Sequence, residues 1–226
     1  MKLDKCNLQF ITHYNKKYSY IDSARTALKG GCRWIQLRMK DVEYSVLEET
    51  AIIVKKMCRD YEATFIIDDN VMLAQKIKAD GVHLGKNDMP IAEARKILGE
   101  QFIIGSTINS FEDILHLMEG ARPNYFGCGP YRYTTTKKNL APILGNEGYV
   151  EIKKKMRYNN IQIPLIAIGG ITKEDIPHLF KCGIDGIALS SSILNADNPT
   201  KEMQDITDII KASFYNHNLC FSEMNN

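Results

Sequence analysis

The second apolar run of the sequence, WIQLRMK, carries Gln36, Arg38 and Lys40 at alternate positions. In an extended strand that spacing sets the three on one face, with Ile35, Leu37 and Met39 on the other. A guanidinium and an ammonium facing a protein interior cost free energy unless they are paired. Two readings follow: an internal ladder of ion pairs, or an anion site. The next two runs end in acids, Asp68 and Asp69 in IIDDN and Asp88 in HLGKND. Neighbouring strands lie about 4.8 Å apart, so carboxylates at consecutive strand ends can approach one cation. Oxygen donors without His or Cys suit Mg²⁺, which commonly bridges carboxylates and a substrate phosphate. The alternative is that each Asp caps the helix that follows it.

Later segments add donors. Thr134, Thr135, Thr136, Lys137 and Lys138 form a polar stretch with hydroxyls and two ammoniums, which reads as a solvated loop or as an anion-binding one. The seventh run ends in Gly169-Gly170 and the eighth in Ser190-Ser191. Bare backbone N–H groups at such a corner can face a phosphate. His83, between Val82 and Leu84, reads as a hydrogen-bonded core histidine away from a strand end. Lys40 as a Schiff-base lysine fits less well than as an anion ligand, because Arg38 stands beside it. The sequence contains no Gx₄GK[ST], GxSxG or HExxH, so nothing supports a P-loop, a serine hydrolase or a zincin.

The elements that must position these residues are short apolar runs alternating with helical patterns. The runs are 8–12, 32–39, 64–68, 81–85, 101–107, 124–129, 164–170 and 186–192. Near-continuous apolar strands imply parallel pairing with both faces covered. Between them, Leu47, Ala51, Val54 and Cys58 recur at helical spacing, leaving Glu48, Glu49, Lys55 and Lys56 to face water. Pro90 offers one helix start and Thr172 an N-cap. Strand-then-helix repeated eight times predicts a single (β/α)₈ TIM barrel over 1–226, an α/β fold, with the tail from about 216 frayed. An open doubly wound sheet has the same alternation. The longest connection is 130–147, and long loops in compact domains tend to be functional.

Composition narrows the partners. The 226 residues are 44% hydrophobic and 25% charged, and 29 Lys+Arg against 27 Asp+Glu give a net charge of +2. That excludes a global basic field for nucleic acid or anionic membrane, so anion binding must be local. No apolar run approaches the ~18 residues that span a bilayer. Without an export-type N-terminus, a cytoplasmic setting is expected, with the six cysteines reduced and structural rather than zinc-binding.

Taken in order, the motifs resemble those of the thiamine-phosphate synthase (thiamine-phosphate pyrophosphorylase) family over roughly 8 to 195. The family's QxRxK stands as Gln36, Arg38 and Lys40, its Asn-Asp pair as Asp68-Asp69, and its next aspartate as Asp88. Its TxTK loop stands as Thr134, Thr136 and Lys137, followed by LAPILG, and its AIGGI segment contains Gly170. Three positions depart: Asp68 for the usual Asn, Asn109 for the His of GxSxH, where Thr107 keeps the hydroxyl, and Tyr133 for a proline.

The resemblance implies an enzyme, a transferase of thiamine biosynthesis. It would join an aminopyrimidine carrying a diphosphooxymethyl group to a hydroxyethyl-methylthiazole phosphate, carboxylated or not, releasing diphosphate through a pyrimidine carbocation. It implies pyrimidine-diphosphate binding by Gln36, Leu37, Arg38, Met39, Lys40, Asp68, Thr107 and Lys137. Thiazole-phosphate binding falls to Thr134, Thr135, Thr136, Gly170, Ser190 and Ser191. Mg²⁺ would sit on Asp69 and Asp88, and Arg38, Lys40 and Lys137 would carry the catalytic charge. The competing readings are a thiazole tautomerase and a non-catalytic phosphate-binding barrel.

Overall fold

A computed structural model describes residues 7–133 and 141–223. Its strands are β1 (Leu8–Ile11), β2 (Trp34–Leu37), β3 (Thr64–Asp68), β4 (Gly81–Leu84), β5 (Ile103–Ile108), β6 (Tyr125–Cys128), β7 (Leu165–Ile168) and β8 (Gly186–Leu189). All pair in parallel in sequence order, and β1 also pairs with β8, so the sheet closes into the expected barrel rather than staying open. The helices between strands are α1 (Tyr20–Lys29), α2 (Tyr44–Asp60), α3 (Val71–Ile77), α4 (Ile91–Leu98), α5 (Phe111–Met118), α6 (Gly145–Tyr158) and α7 (Ile176–Lys181). A short α8 (Ser191–Leu194) and a long α9 (Pro199–Glu223) complete the chain.

Local chemistry sets the boundaries. The Ser19 hydroxyl accepts from the Asp22 N–H to open α1, and Ser110 with Asp113 forms a capping box on α5. Pro90 occupies the N-cap of α4, and Thr172 opens a 3₁₀ turn (Lys173–Asp175) ahead of α7. Along α2, Ala51, Val54 and Cys58 are buried as the spacing implies. Lys55 is half-buried instead of solvated, its ammonium donating to the Ile77 carbonyl at the end of α3. The connection after β6 is shorter than its composition implied, because α6 begins at Gly145. The backbone stays helical through Glu223, overrunning the segment expected to fray from 216. No Gly or Pro lies between Thr200 and Glu223 to stop it.

Period-two alternation divides the core. Leu8, Phe10, Ile35, Leu37, Phe65, Ile67 and Val82 pack outward under the helices. Ile11, Trp34, Ile66, Ile103, Tyr125, Ile166 and Ala188 fill the barrel. Within it, the Trp34 and Tyr125 rings meet edge to face, centroids 4.8 Å apart. This apolar plug closes the lower barrel, so polar inward residues one layer higher open onto the mouth. Cys32, Cys58 and Cys128 are buried, Cys182 is half-buried, and none of the four is in a disulfide. Among the described residues no helix is long and apolar enough to cross a membrane.

Candidate active site

The inward positions of β2 end at Gln36, because the ladder stops at Leu37. The Arg38 N–H leaves the sheet and donates to the Thr12 hydroxyl at 3.0 Å. Arg38 and Lys40 therefore stand at the C-terminal rim rather than inside a longer strand. With Gln36 they line a cavity of about 500 Å³ at the barrel mouth. The same cavity is lined by Asp68, Asp69 and Asp88, by Thr107, and by Gly170, Ser190 and Ser191.

Two residues assigned to this wall present it no side chain. The side chains of Leu37 and Met39 belong to the helix-side core, Leu37 fully buried there and Met39 packed against it. Alternation that sends Gln36 inward necessarily sends its neighbours outward. Thr134, Thr135, Thr136 and Lys137 lie outside the described residues.

Asp68 organises the basic wall. Its Oδ1 accepts from Gln36 Nε2 at 2.6 Å, while Arg38 Nε and Lys40 Nζ lie 3.4 and 3.6 Å from its Oδ2. Lys40 also pairs with Asp69. The ladder of ion pairs thus exists, yet it leaves Arg38 and Lys40 part-exposed to the cavity. Burial pushes the Asp68 carboxyl above the usual carboxylate range, and Lys40, Arg38 and the Gln36 hydrogen bond only partly offset it. In the window between the unfolded and folded values the folded state binds more protons, so this group's contribution to stability falls as pH rises. Asp68→Asn should therefore raise the thermal midpoint of the ligand-free protein at neutral pH, with the advantage shrinking on acidification. A midpoint that drops at neutral pH would mean the two ion pairs outweigh burial.

The acids do not cap helices. Asn70 accepts from the Leu73 N–H at 2.9 Å to cap α3, and Pro90 heads α4. Asp88 Oδ2 instead accepts from the Gly85 N–H at 2.6 Å and closes the turn after β4. Asp69 and Asp88 both line the cavity. No group of three or more His, Cys, Asp or Glu side chains that could hold a metal occurs among the described residues. A cation here would therefore complete its shell with ligand or water oxygens, as Mg²⁺ commonly does. Charge agrees with that fit. Three carboxylates face the two cations Arg38 and Lys40, while Lys86 on the same rim is bound to Asp113 at 2.6 Å.

Sequence reasoning missed a second polar group. Gln9 Nε2 donates to the Tyr125 hydroxyl at 3.2 Å, and that oxygen lies 3.0 Å from His83 Nδ1. His83 Nε2 lies 2.9 Å from Thr107 Oγ1. His83 is hydrogen-bonded as expected, but it lines the cavity instead of sitting apart from it. Gly127 makes room for it, since a Cβ there would meet His83 Cε1 at 2.9 Å. The only sequence signal was parity: Gln9 and His83 are polar residues at inward positions of otherwise apolar strands. The side-chain amide of Asn109 donates to the Gly129 carbonyl and ties the end of β5 to that of β6.

The Gly-Gly corner also carries a packing duty. Gly170 has φ +68°, and a Cβ there would collide with the Arg132 side chain. Arg132 is itself held by Asp175 at 2.7 Å. The collision lies toward the segment after β6, so a side chain at this position disturbs packing whether or not a phosphate binds. Gly170→Ala should lower stability by at least ~1–2 kcal/mol, from the left-handed backbone cost alone, read as a lower thermal midpoint. An unchanged midpoint would show that Arg132 yields and the backbone relaxes.

Comparison with known proteins finds relatives along most of the chain. The family model described as thiamine monophosphate synthase matches residues 8–193. A thiamine-phosphate synthase of Phocaeicola vulgatus is 58% identical over 203 residues, covering 89% of this chain and 97% of the relative. One from Bacteroides fragilis is 55% identical over 204 residues, covering 90% and 99%. Among solved structures, thiamine phosphate pyrophosphorylase from Pyrococcus furiosus superposes with a TM-score of 0.82 at 33% identity, covering 93% of this chain and 98% of that one.

Proposed function

Because the chain belongs to the thiamine monophosphate synthase family, we propose that its barrel mouth joins an aminopyrimidine methyl diphosphate to a thiazole phosphate, forming thiamine phosphate and releasing diphosphate. The chain is a transferase of this family. The observation that carries the reading is one wall of the cavity. The side-chain amide oxygen of Gln36, Oε1, is buried with no hydrogen-bond partner, and Arg38 and Lys40 follow it on the same rim. A buried acceptor left unsatisfied is costly. The exocyclic amino group of the pyrimidine supplies the missing donor, and the two cations then fall beside the diphosphate.

Chemistry on that arrangement is mainly electrostatic. The aminopyrimidine ring can stabilise a cation at its methylene carbon, so the C–O bond breaks as negative charge gathers on diphosphate. Arg38 and Lys40 meet that charge from fixed positions, which costs no reorganisation when the bond breaks. Lys40 is held in place by Asp68 and Asp69, and Arg38 by Asp68. Asp69 and Asp88 would hold Mg²⁺, which when bound neutralises diphosphate oxygens. The thiazole nitrogen then attacks the methylene carbon, and no protein nucleophile is needed. Gly170, Ser190 and Ser191 line the part of the cavity where the thiazole phosphate would rest. The usual family Asn is here Asp68, whose carboxyl burial pushes above the usual carboxylate range.

Diphosphate release by the purified protein with Mg²⁺ should depend saturably on both substrates. Release from the pyrimidine diphosphate alone at the same rate would indicate a hydrolase. Deuterium exchange into the thiazole phosphate with no diphosphate released would indicate a tautomerase, and binding without turnover a non-catalytic barrel.

A further inference from the structure

The chain of hydrogen bonds at the base of the cavity has a direction, and a buried residue of β1 sets it. Gln9 and Tyr125 are buried on β1 and β6. The phenol oxygen sits between Gln9 Nε2, at 3.2 Å, and His83 Nδ1, at 3.0 Å. An amide nitrogen can only donate, and a phenol has one proton. With its oxygen accepting from Gln9, the phenol must send that proton to His83 Nδ1. A neutral imidazole whose Nδ1 accepts carries its proton on Nε2. That nitrogen then donates to Thr107 Oγ1, 2.9 Å away. A hydroxyl that accepts from His83 is free to turn its own proton elsewhere, and Thr107 borders the cavity. Burial pushes the Tyr125 phenol far above its ordinary value, so it remains an O–H donor.

We propose that Gln9 and Tyr125 are positioning residues that hold His83 as its Nε2–H tautomer and thereby aim the Thr107 hydroxyl proton at an oxygen of the bound diphosphate. An anion accepts hydrogen bonds and donates none, so the opposite polarity would face it with a hydroxyl whose proton was already committed to His83. Only the last link, from Thr107 to diphosphate, rests on the function proposed above. The links from Gln9 to Thr107 are a property of the ligand-free protein.

The test is the long-range ¹H–¹⁵N spectrum of the full chain labelled with ¹⁵N-histidine, with the His83 signals identified by their loss in His83→Gln. The expected pattern is a protonated, pyrrole-like Nε2 and a bare, pyridine-like Nδ1. In Gln9→Glu at alkaline pH, a carboxylate would accept the phenol proton and the pattern should invert. Tyr125→Phe removes the donor to Nδ1 with little change in shape, and should yield a mixture of tautomers. A protonated Nδ1 in the unmodified protein overturns the proposal, and so does a pattern that neither variant shifts. Calorimetry with inorganic diphosphate and Mg²⁺ reads the last link. Thr107→Val and Gln9→Glu should each weaken binding about tenfold, as expected for a hydrogen bond to a charged group, and the two together no more than either alone. Independent losses that multiply would overturn the link to Thr107. If diphosphate fails to bind the unmodified protein, the anion-site reading falls and the Thr107 link with it. The tautomer spectra still decide the part from Gln9 to His83.

Discussion

Arg38→Ala should lower kcat/KM by about 10³-fold, through both a higher KM for the pyrimidine diphosphate and a lower kcat. The guanidinium spends only its Nε side on Asp68, at 3.4 Å, and borders the cavity. Its remaining N–H groups form a planar fork that can hold two diphosphate oxygens before the reaction begins. Charge on those oxygens grows as the C–O bond breaks, so the same contacts strengthen in the transition state. Arg38→Lys keeps the charge and loses the fork, and should recover only part of the loss. Steady-state kinetics with each substrate varied would check this. A KM change with kcat intact would mean that Arg38 binds ground state and transition state equally. The Asp68 carboxylate keeps Gln36 and Lys40 as partners in either variant, so unfolding should not explain the result.

Asp69→Asn and Asp88→Asn should each lower turnover by about 10²-fold or more and shift the Mg²⁺ dose response to higher concentration. Asparagine is the informative replacement at both positions. At Asp88 an amide oxygen can still accept from the Gly85 N–H and preserve the turn after β4. At Asp69 it keeps the side-chain shape while weakening the pairing with Lys40. Neither side chain lies in the apolar core, so thermal midpoints should stay close to the unmodified protein. Full activity in excess EDTA, or variants with unshifted Mg²⁺ dependence, would remove the metal from the account.

The architecture was legible because parallel strands buried on both faces write themselves as short apolar runs, and parity within a run tells inside from outside. Gln36 lies inward and Leu37 outward for that one reason. Closure was not legible, because an open sheet has the same alternation and only the β1–β8 pairing decides it. Asp68, Asp69 and Asp88 could be placed together from consecutive strand ends, since their neighbours are local in sequence. The contact between Gln9 and Tyr125 spans three-dimensional neighbours 116 residues apart. No local pattern announces such a pair; it depends on how far each strand is staggered around the barrel. The packing around Gly170 was hidden for a related reason. The sequence places it at the mouth, but only the fold shows Arg132 and the Tyr133 carbonyl packed where its side chain would be.

The proposed reaction turns on one bond, between the pyrimidine methylene carbon and the thiazole nitrogen. Incubating the purified protein with both substrates and Mg²⁺, then quantifying products by mass spectrometry and ³¹P NMR, observes that bond directly. Thiamine phosphate and diphosphate should appear in equal amounts, formed over many turnovers per protein molecule. Consumption of the pyrimidine diphosphate without thiamine phosphate, or no consumption at all by folded protein under these conditions, would contradict it.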